Sequence, residues 1–330
     1  MFSRKAKIAG FTFFLTLVLI LSFWVSAGAQ SKLKVLSFAT GGTGGVYYPM
    51  GGGMAKVLSK YIPNLEVTAE VTAASVDNLK LIHAKKADLA LAMCDVAYDA
   101  LRGVGRFKST GAIPGVRNIA VVYSNCLHFV VLKGSRINSV SDLKGKRVST
   151  GAAGSGTEVK AVRTLESYGI DADKDVKRER LSFAEAGGAL KDRKLDCAVI
   201  ESGLPNSVIL DLSATPGIEI KILNNSEHID KLTNKYGPFY YKLIIPKTTY
   251  PHMDAEVPVV GSGNQLICHE SMDPELVYTI LKVLLEHQPE IVASHAEASS
   301  FTLTSAVVGS AIPFHPGAWK YFQEKGIKIK

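Results

Sequence analysis

The chain has 330 residues, a formal net charge of +8, 47% hydrophobic and 21% charged residues. That composition excludes a disordered or low-complexity polymer and supplies enough apolar material for two compact domains. The basic excess is carried by scattered Lys and Arg, which describes a solvated surface and argues against a nucleic-acid partner.

Residues 1–29, MFSRKAKIAGFTFFLTLVLILSFWVSAGA, begin with Arg4, Lys5 and Lys7. They continue through an apolar run from Ile8 to Val25 and end in Ala27-Gly28-Ala29. This is the layout of a secretory signal peptide with a small-residue cleavage site, so export to the periplasm and a mature start at Gln30 are expected. The apolar run approaches spanning length, which leaves an uncleaved anchor as the alternative. No cysteine stands at the junction, so a lipid anchor is not expected.

Next, KVLSFA (34–39) reads as a short buried strand, followed by the turn TGGTGG and a helix marked by Met50, Met54, Val57, Leu58 and Tyr61. LEVTAEVT alternates as a strand. Ser75 has the chemistry of an N-cap for VDNLKLIHAKK, with Leu79 and Ile82 facing inward. ADLALAM is a third strand, ending at Asp95. A β-α-β-α-β order favours a parallel sheet covered by helices.

The grammar then repeats. KRVSTG (146–151) is a strand, AAGSGTE a glycine-rich turn, VKAVRTLESYG a helix closed by Gly169, VKRERLSF a strand, AEAGGALKDRK a helix and LDCAVIESG a strand ending at Glu201. KKADLALAMCD and RKLDCAVIESG share a basic residue, an Asp, an apolar run and an acid. NIAVVYSNCLHFVVLKG (118–134) is too long for one ordinary strand and is expected to cross between two lobes. PVVGSGNQLICHE (258–270) is expected to bring the chain back before two C-terminal helical segments. The expected domains are therefore 30–125, the first part of lobe I, then lobe II at 126–245, and the second part of lobe I with the C-terminal helices at 246–330.

A helix N-terminus presents unpaired N–H groups and a partial positive charge, and glycines let an anion reach them. Gly41 to Gly45, and Gly154-Ser155-Gly156-Thr157, place such starts at equivalent points of the two halves. Tight strand-to-helix packing without a ligand is the alternative use of the same glycines. No dinucleotide fingerprint, phosphate-binding loop, serine-hydrolase elbow or His metal spacing is present, so no catalytic residue, metal or cofactor is expected. Asp95 and Glu201 stand as a possible carboxylate pair, or as a helix cap or cation ligand. His128, within an apolar strand, reads as a core histidine. Cys94, Cys126, Cys197 and Cys268 are widely spaced and read as buried thiols, with Cys94 and Cys126 the one pair placed for a disulfide.

The segments TGGTGGVYYPMGGGMAKVL, SVDNL, DVAYDAL, DLKGKRVSTGAAGSGTEVKA, ALKDRKLDCAVIESGLPN and IPFHPGAWKYFQEKGI resemble the motif series of TAXI proteins, over essentially the whole mature chain. TAXI proteins are the solute receptors of one branch of tripartite ATP-independent periplasmic (TRAP) transporters. The resemblance implies a two-lobed periplasmic binding protein fold of type II, each lobe a mixed, mainly parallel sheet flanked by helices and joined by hinge strands. It implies capture of a small carboxylate, glutamate or glutamine, and delivery to membrane-embedded transporter subunits. Carried over, the ligand contacts are Gly44, Gly45, Tyr47, Ser75, Asn78, Asp95, Ser155, Gly156 and Thr157, with the Asp95 carboxylate facing the ligand's ammonium group. Two positions depart from the family pattern: Met93-Cys94 where Gln-Ser is common, and Ser124-Asn125 where an acid is common. A binding protein of an ATP-driven importer and an exported enzyme acting on a small carboxylate remain as alternatives.

Overall fold

A computed structural model describes residues 33–329. The expected signal peptide lies outside them. Among the described residues no helix is long and apolar enough to cross a membrane.

In chain order the first half contains β1 (Lys34–Ala39), α1 (Tyr47–Tyr61), β2 (Leu65–Glu70), α2 (Ser75–His83), β3 (Leu89–Met93) and α3 (Cys94–Arg102). The long strand β4 (Val116–Leu132) leads to β5 (Arg147–Ser149), α4 (Gly156–Ser167), β6 (Lys177–Glu179), α5 (Phe183–Lys191), β7 (Cys197–Ser202), α6 (Ser207–Ala214), β8 (Ile220–Ile222), α7 (Ile229–Tyr236) and β9 (Tyr241–Ile245). A second long strand, β10 (Val257–His269), returns to α8 (Pro274–Glu286), α9 (Gln288–Val292) and α10 (Pro316–Glu324).

All ten strands form one curled sheet in the order β2-β1-β3-β10-β4-β7-β5-β6, with β8 on β4 and β9 on β10. β1 pairs parallel with β3, and β5 parallel with both β6 and β7. The two long strands run antiparallel to each other, from Gly261 opposite Cys126 to His269 opposite Val116. Beyond that overlap β4 continues along β7 and β8, and β10 along β9. Both crossings read from sequence are therefore single strands that stitch the two halves together.

Each half carries apolar cores on both faces of its sheet. Met50, Met54, Val57 and Leu58 of α1 pack with Leu281 and Leu284 of α8, while Leu79 and Ile82 of α2 and Val96 of α3 cover the opposite face. In the second half Ala161 and Leu165 of α4 serve one face, and Ala186, Leu190, Ile209 and Leu212 of α5 and α6 the other. Burying each such large aliphatic side chain is worth about 1.5–3 kcal/mol, so these interfaces hold the helix starts in place.

Two local expectations are corrected. Ser75 is the first residue of α2, and the N-cap is Ala74 at φ 78°. The Ser75 hydroxyl is already committed to the backbone N–H of Met93, 3.1 Å away. Asp95 does not end a strand: β3 stops at Met93 and α3 begins at Cys94, which puts Asp95 in the first turn of that helix.

Candidate functional site

Where the halves meet, a cavity of about 300 Å³ lies between the starts of four helices. The Gly41–Gly45 turn and Tyr47 enter it from α1, Ala73 and Ala74 from α2, Ser155 and Thr157 from α4, and Ser182 and Phe183 from α5. The four starts differ electrostatically. On α4 the Ser155 hydroxyl accepts the N–H of Glu158, and on α5 Ser182 and Glu185 form a reciprocal capping box. α2 has Asp77 in its first turn. The 15-residue α1 has neither a side-chain cap nor an acid in its first turn, so no residue of its own first turn answers its partial positive charge.

The glycines allow close packing between the halves. A Cβ on Gly44 would lie 3.1 Å from Val208 of α6, and the Gly44 carbonyl accepts a hydrogen bond from the Asn206 amide at 2.9 Å. A Cβ on Gly156 would lie 2.4 Å from Met93 Sδ and 2.8 Å from Ser75 Oγ. Each glycine-rich start thus touches the opposite half, and a larger residue there would hold the halves apart.

Behind the cavity lies a cluster of buried charge. Lys160 of α4 is fully buried and donates to Glu201 Oε1 and to Ser262 Oγ of β10, with Asp95 Oδ1 3.9 Å away. Asp95 Oδ2 accepts from Tyr240 Oη at 2.9 Å and lies 3.5 Å from Arg163, which also binds Tyr240 and Asp99. Burial opposes the charges on Lys160 and Arg163, yet the surrounding acids outweigh it and both stay above their ordinary ranges. Glu201 and Asp99 are pushed up, burial being the larger cause and the neighbouring cation the opposing one. The repeat that pairs Asp95 with Glu201 in sequence thus brings both acids to one lysine.

The predicted residues separate into groups. Gly44, Gly45, Tyr47, Ser155 and Thr157 line the cavity. Ser75, Asn78, Asp95 and Gly156 lie behind its wall. Asn78 is wholly buried; its amide reaches Ala39 O at 3.3 Å, Thr40 O at 2.7 Å and Leu91 O at 2.7 Å, and its Oδ1 accepts from Thr72 at 2.6 Å. It ties the carboxyl ends of β1 and β3 to α2.

Glu201, read from sequence only as a strand-end acid, also lines the cavity, as do Asn125 and Met93. Asn264 of β10 is an organiser that pattern reading passed over. Its Oδ1 accepts from Tyr47 Oη at 2.5 Å and from Asn125 Nδ2 at 3.1 Å, and its amide donates to the Tyr123 carbonyl at 3.3 Å. The available signal was the polar run GSGNQ inside an otherwise apolar crossing strand.

All four cysteines are free and buried, and burial pushes the Cys94 and Cys126 thiols up to about 12. His128 is lowered to about 4 by burial; its Nδ1 lies 3.0 Å from Ile200 O and its Nε2 3.0 Å from Tyr250 Oη. It is a core histidine.

An open α/β arrangement whose strand ends and helix starts enclose a cavity defines a class of ligand-holding proteins. The fold is that of type II periplasmic binding proteins. The chain is similar, at 16% identity over 89% of its length and 90% of the other, to a protein of Bordetella bronchiseptica RB50 (TM-score 0.52). The alkanesulfonate-binding protein SsuA of Xanthomonas axonopodis pv. citri bound to MOPS matches at 17% identity, over 89% of this chain and 92% of that one (TM-score 0.50). A Xanthomonas citri protein bound to chloride ion matches at 12% identity, over 88% and 95% (TM-score 0.50). The chain belongs to the NMT1-like family, whose pattern it matches over residues 38–326.

Proposed function

We propose that this chain is the periplasmic solute receptor of a TAXI-type TRAP transporter. It captures a small carboxylate, glutamate or glutamine, and delivers it to membrane-embedded subunits. The two halves of the sheet act as its lobes, 30–125 with 246–330 and 126–245, and the ligand sits in the cleft between them. The observation that carries this reading is the cavity between four helix starts, one of them the uncapped α1. Its volume of about 300 Å³ is at the small end of the roughly 300–1,000 Å³ typical of ligand sites.

In this reading the ligand's carboxylate takes N–H groups of the Gly44–Tyr47 turn other than that of Gly45, which donates to Gly42 O at 3.1 Å, with Ser155 and Thr157 closing from the other side. Ser75, Asn78, Gly156 and Asp95 hold those contacts in place. The fold similarity to an alkanesulfonate-binding protein supports a second reading, a binding protein of an ATP-driven importer with a sulfonate on the same turn.

Titration calorimetry of the mature chain with L-glutamate, L-glutamine and ethanesulfonate tests both readings. Micromolar or tighter binding of the amino acids is expected. Binding of ethanesulfonate in their place would favour the second reading, and binding of none would overturn both.

A further inference from the structure

Glu201 is 3% exposed and its two oxygens have different surroundings. Oε1 is taken by Lys160 and Ser262, whereas Oε2 has no hydrogen-bond partner among the described residues although the side chain lines the cavity. Asn125, 1% exposed and also lining the cavity, likewise has an unpartnered Oδ1. A buried acceptor left unmade is costly, more so when it is charged. Two of them in the wall of one cavity describe a socket for a donor.

The charges beside this socket do not cancel. Lys160 and Arg163 face Asp95, Asp99 and Glu201, so the buried cluster carries two cations against three acids. Glu201 is faced by Lys160 of α4, Asp95 of α3, Tyr47 of α1, Tyr123 and Cys126 of β4 and Ser262 of β10. Burial raises both tyrosines well above their ordinary range and Cys126 to about 12, so they are neutral and only Lys160 and Asp95 bring charge to it. One negative charge is therefore left over. Of the two oxygens in the cluster without a hydrogen-bond partner among the described residues, Asp95 Oδ1 and Glu201 Oε2, only the second belongs to a side chain that lines the cavity.

We infer that Glu201 is the residue by which the cavity reads the charge of its ligand. A ligand with an ammonium or N–H group beside its anionic end is taken by ionised Glu201. An anion without such a group is taken only when Glu201 holds a proton, so that its binding removes one proton from solution. Lys160 is the positioning residue, fixing Oε1 so that Oε2 faces the cavity. The inference rests on the reading that the cavity holds a small anion.

The test uses two matched pairs that differ only in an amino group: L-glutamate against glutarate, and taurine against ethanesulfonate. Calorimetry in two buffers of different ionisation enthalpy counts protons. Near-zero exchange with the amino-bearing partner and uptake of about one proton with the amino-free partner are expected at neutral pH. Glu201→Gln should weaken the amino-bearing ligand at least tenfold and bind the amino-free one without proton uptake. An unchanged preference in Glu201→Gln, or amino-free binding without uptake in the parent, overturns the inference.

A ligand-free measurement separates this from failure of the receptor reading. A carboxyl raised by burial favours folding below the ordinary Glu range and loses that contribution as pH rises through its raised value. The urea stability of the parent should therefore fall relative to Glu201→Gln as pH rises from the ordinary Glu range to neutrality, where Glu201 is ionised. A difference that stays constant across that range overturns the inference even if none of the four probes binds.

Discussion

Asn78 is a residue whose chemistry suits two roles, and its surroundings choose between them. An amide at a helix start near a cleft is suited to a ligand, but all of its hydrogen-bonding capacity is used inside the protein, on Ala39, Thr40, Leu91 and Thr72. Asn78→Ala strands the buried carbonyl ends of Ala39 and Leu91, while the Thr72 hydroxyl keeps Thr40 O as an acceptor at 3.2 Å and the Ala74 N–H as a donor at 3.0 Å. At about 1–3 kcal/mol for each buried group left without a partner, a loss of roughly 2–5 kcal/mol is expected. Urea unfolding of the ligand-free protein measures it. A variant of parental stability that binds ligand poorly would instead make Asn78 a direct contact. Glu201 shows the complementary case: a residue with one oxygen spare is the one to suspect of meeting a ligand.

At the scale of elements, the repeat seen in the sequence has a physical basis on both sides of the molecule. Lys85 and Arg193 end their helices at φ 54° and 59°. Asp88 then accepts the Ser37 N–H at 2.9 Å, and Asp196 accepts the Arg147 N–H at 2.8 Å. Thr40 and Thr150 donate through their N–H groups to Glu70 O and Glu179 O, both at 3.0 Å. These equivalences were legible because a strand entering a parallel sheet needs the same turn and the same stitch in each half.

The strand ends were less legible. Five residues beyond each aspartate stand Met93 and Glu201, so Glu201 corresponds to a methionine, and Asp95 lies past the strand in a helix that starts without a loop. The short strand Ile220–Ile222 carries too few residues for an alternating pattern to register. Gly156 tests what its position is for. Gly156→Ala pushes on Met93 Sδ and on Ser75 Oγ, which is anchored to the Met93 N–H, so ligand affinity should fall at least tenfold. Gly188→Ala, exposed on α5 with open space around it, should leave affinity unchanged and add about 0.4–1 kcal/mol of stability. Equal affinities in calorimetry would remove Gly156 from the closing contact.

At the scale of the molecule, many links between the halves are polar. They include Arg163–Asp99, Lys160–Asp95, the Tyr240 hydroxyl on Asp95, Arg106–Glu158 at 2.5 Å, the Asn206 amide on Gly44 O and the Asp77 N–H on Gly154 O at 3.3 Å. Most of the apolar core lies within each half, though Val159 of α4 clusters with Val76, Met93 and Val96 of the first half and the Tyr98 ring lies 4.8 Å from that of Phe239. Separating the halves therefore breaks charged and backbone links together with a small apolar contact. Breaking a buried ion pair while it stays buried costs about 3–5 kcal/mol, but in an open molecule water takes over both charges. In the proposed receptor, closure is an equilibrium that ligand and buried pairs bias together, and apparent affinity scales with the closed fraction. Asp99→Asn keeps the shape of the site and removes the charge opposite Arg163, at a position that does not line the cavity. It should enlarge the ligand-free radius of gyration in small-angle scattering and weaken ligand binding at least tenfold. Saturating ligand should restore the parental closed radius, because the cavity itself is intact. A variant that binds as tightly as the parent with an unchanged radius would mean that the pair stabilises the fold and takes no part in closure.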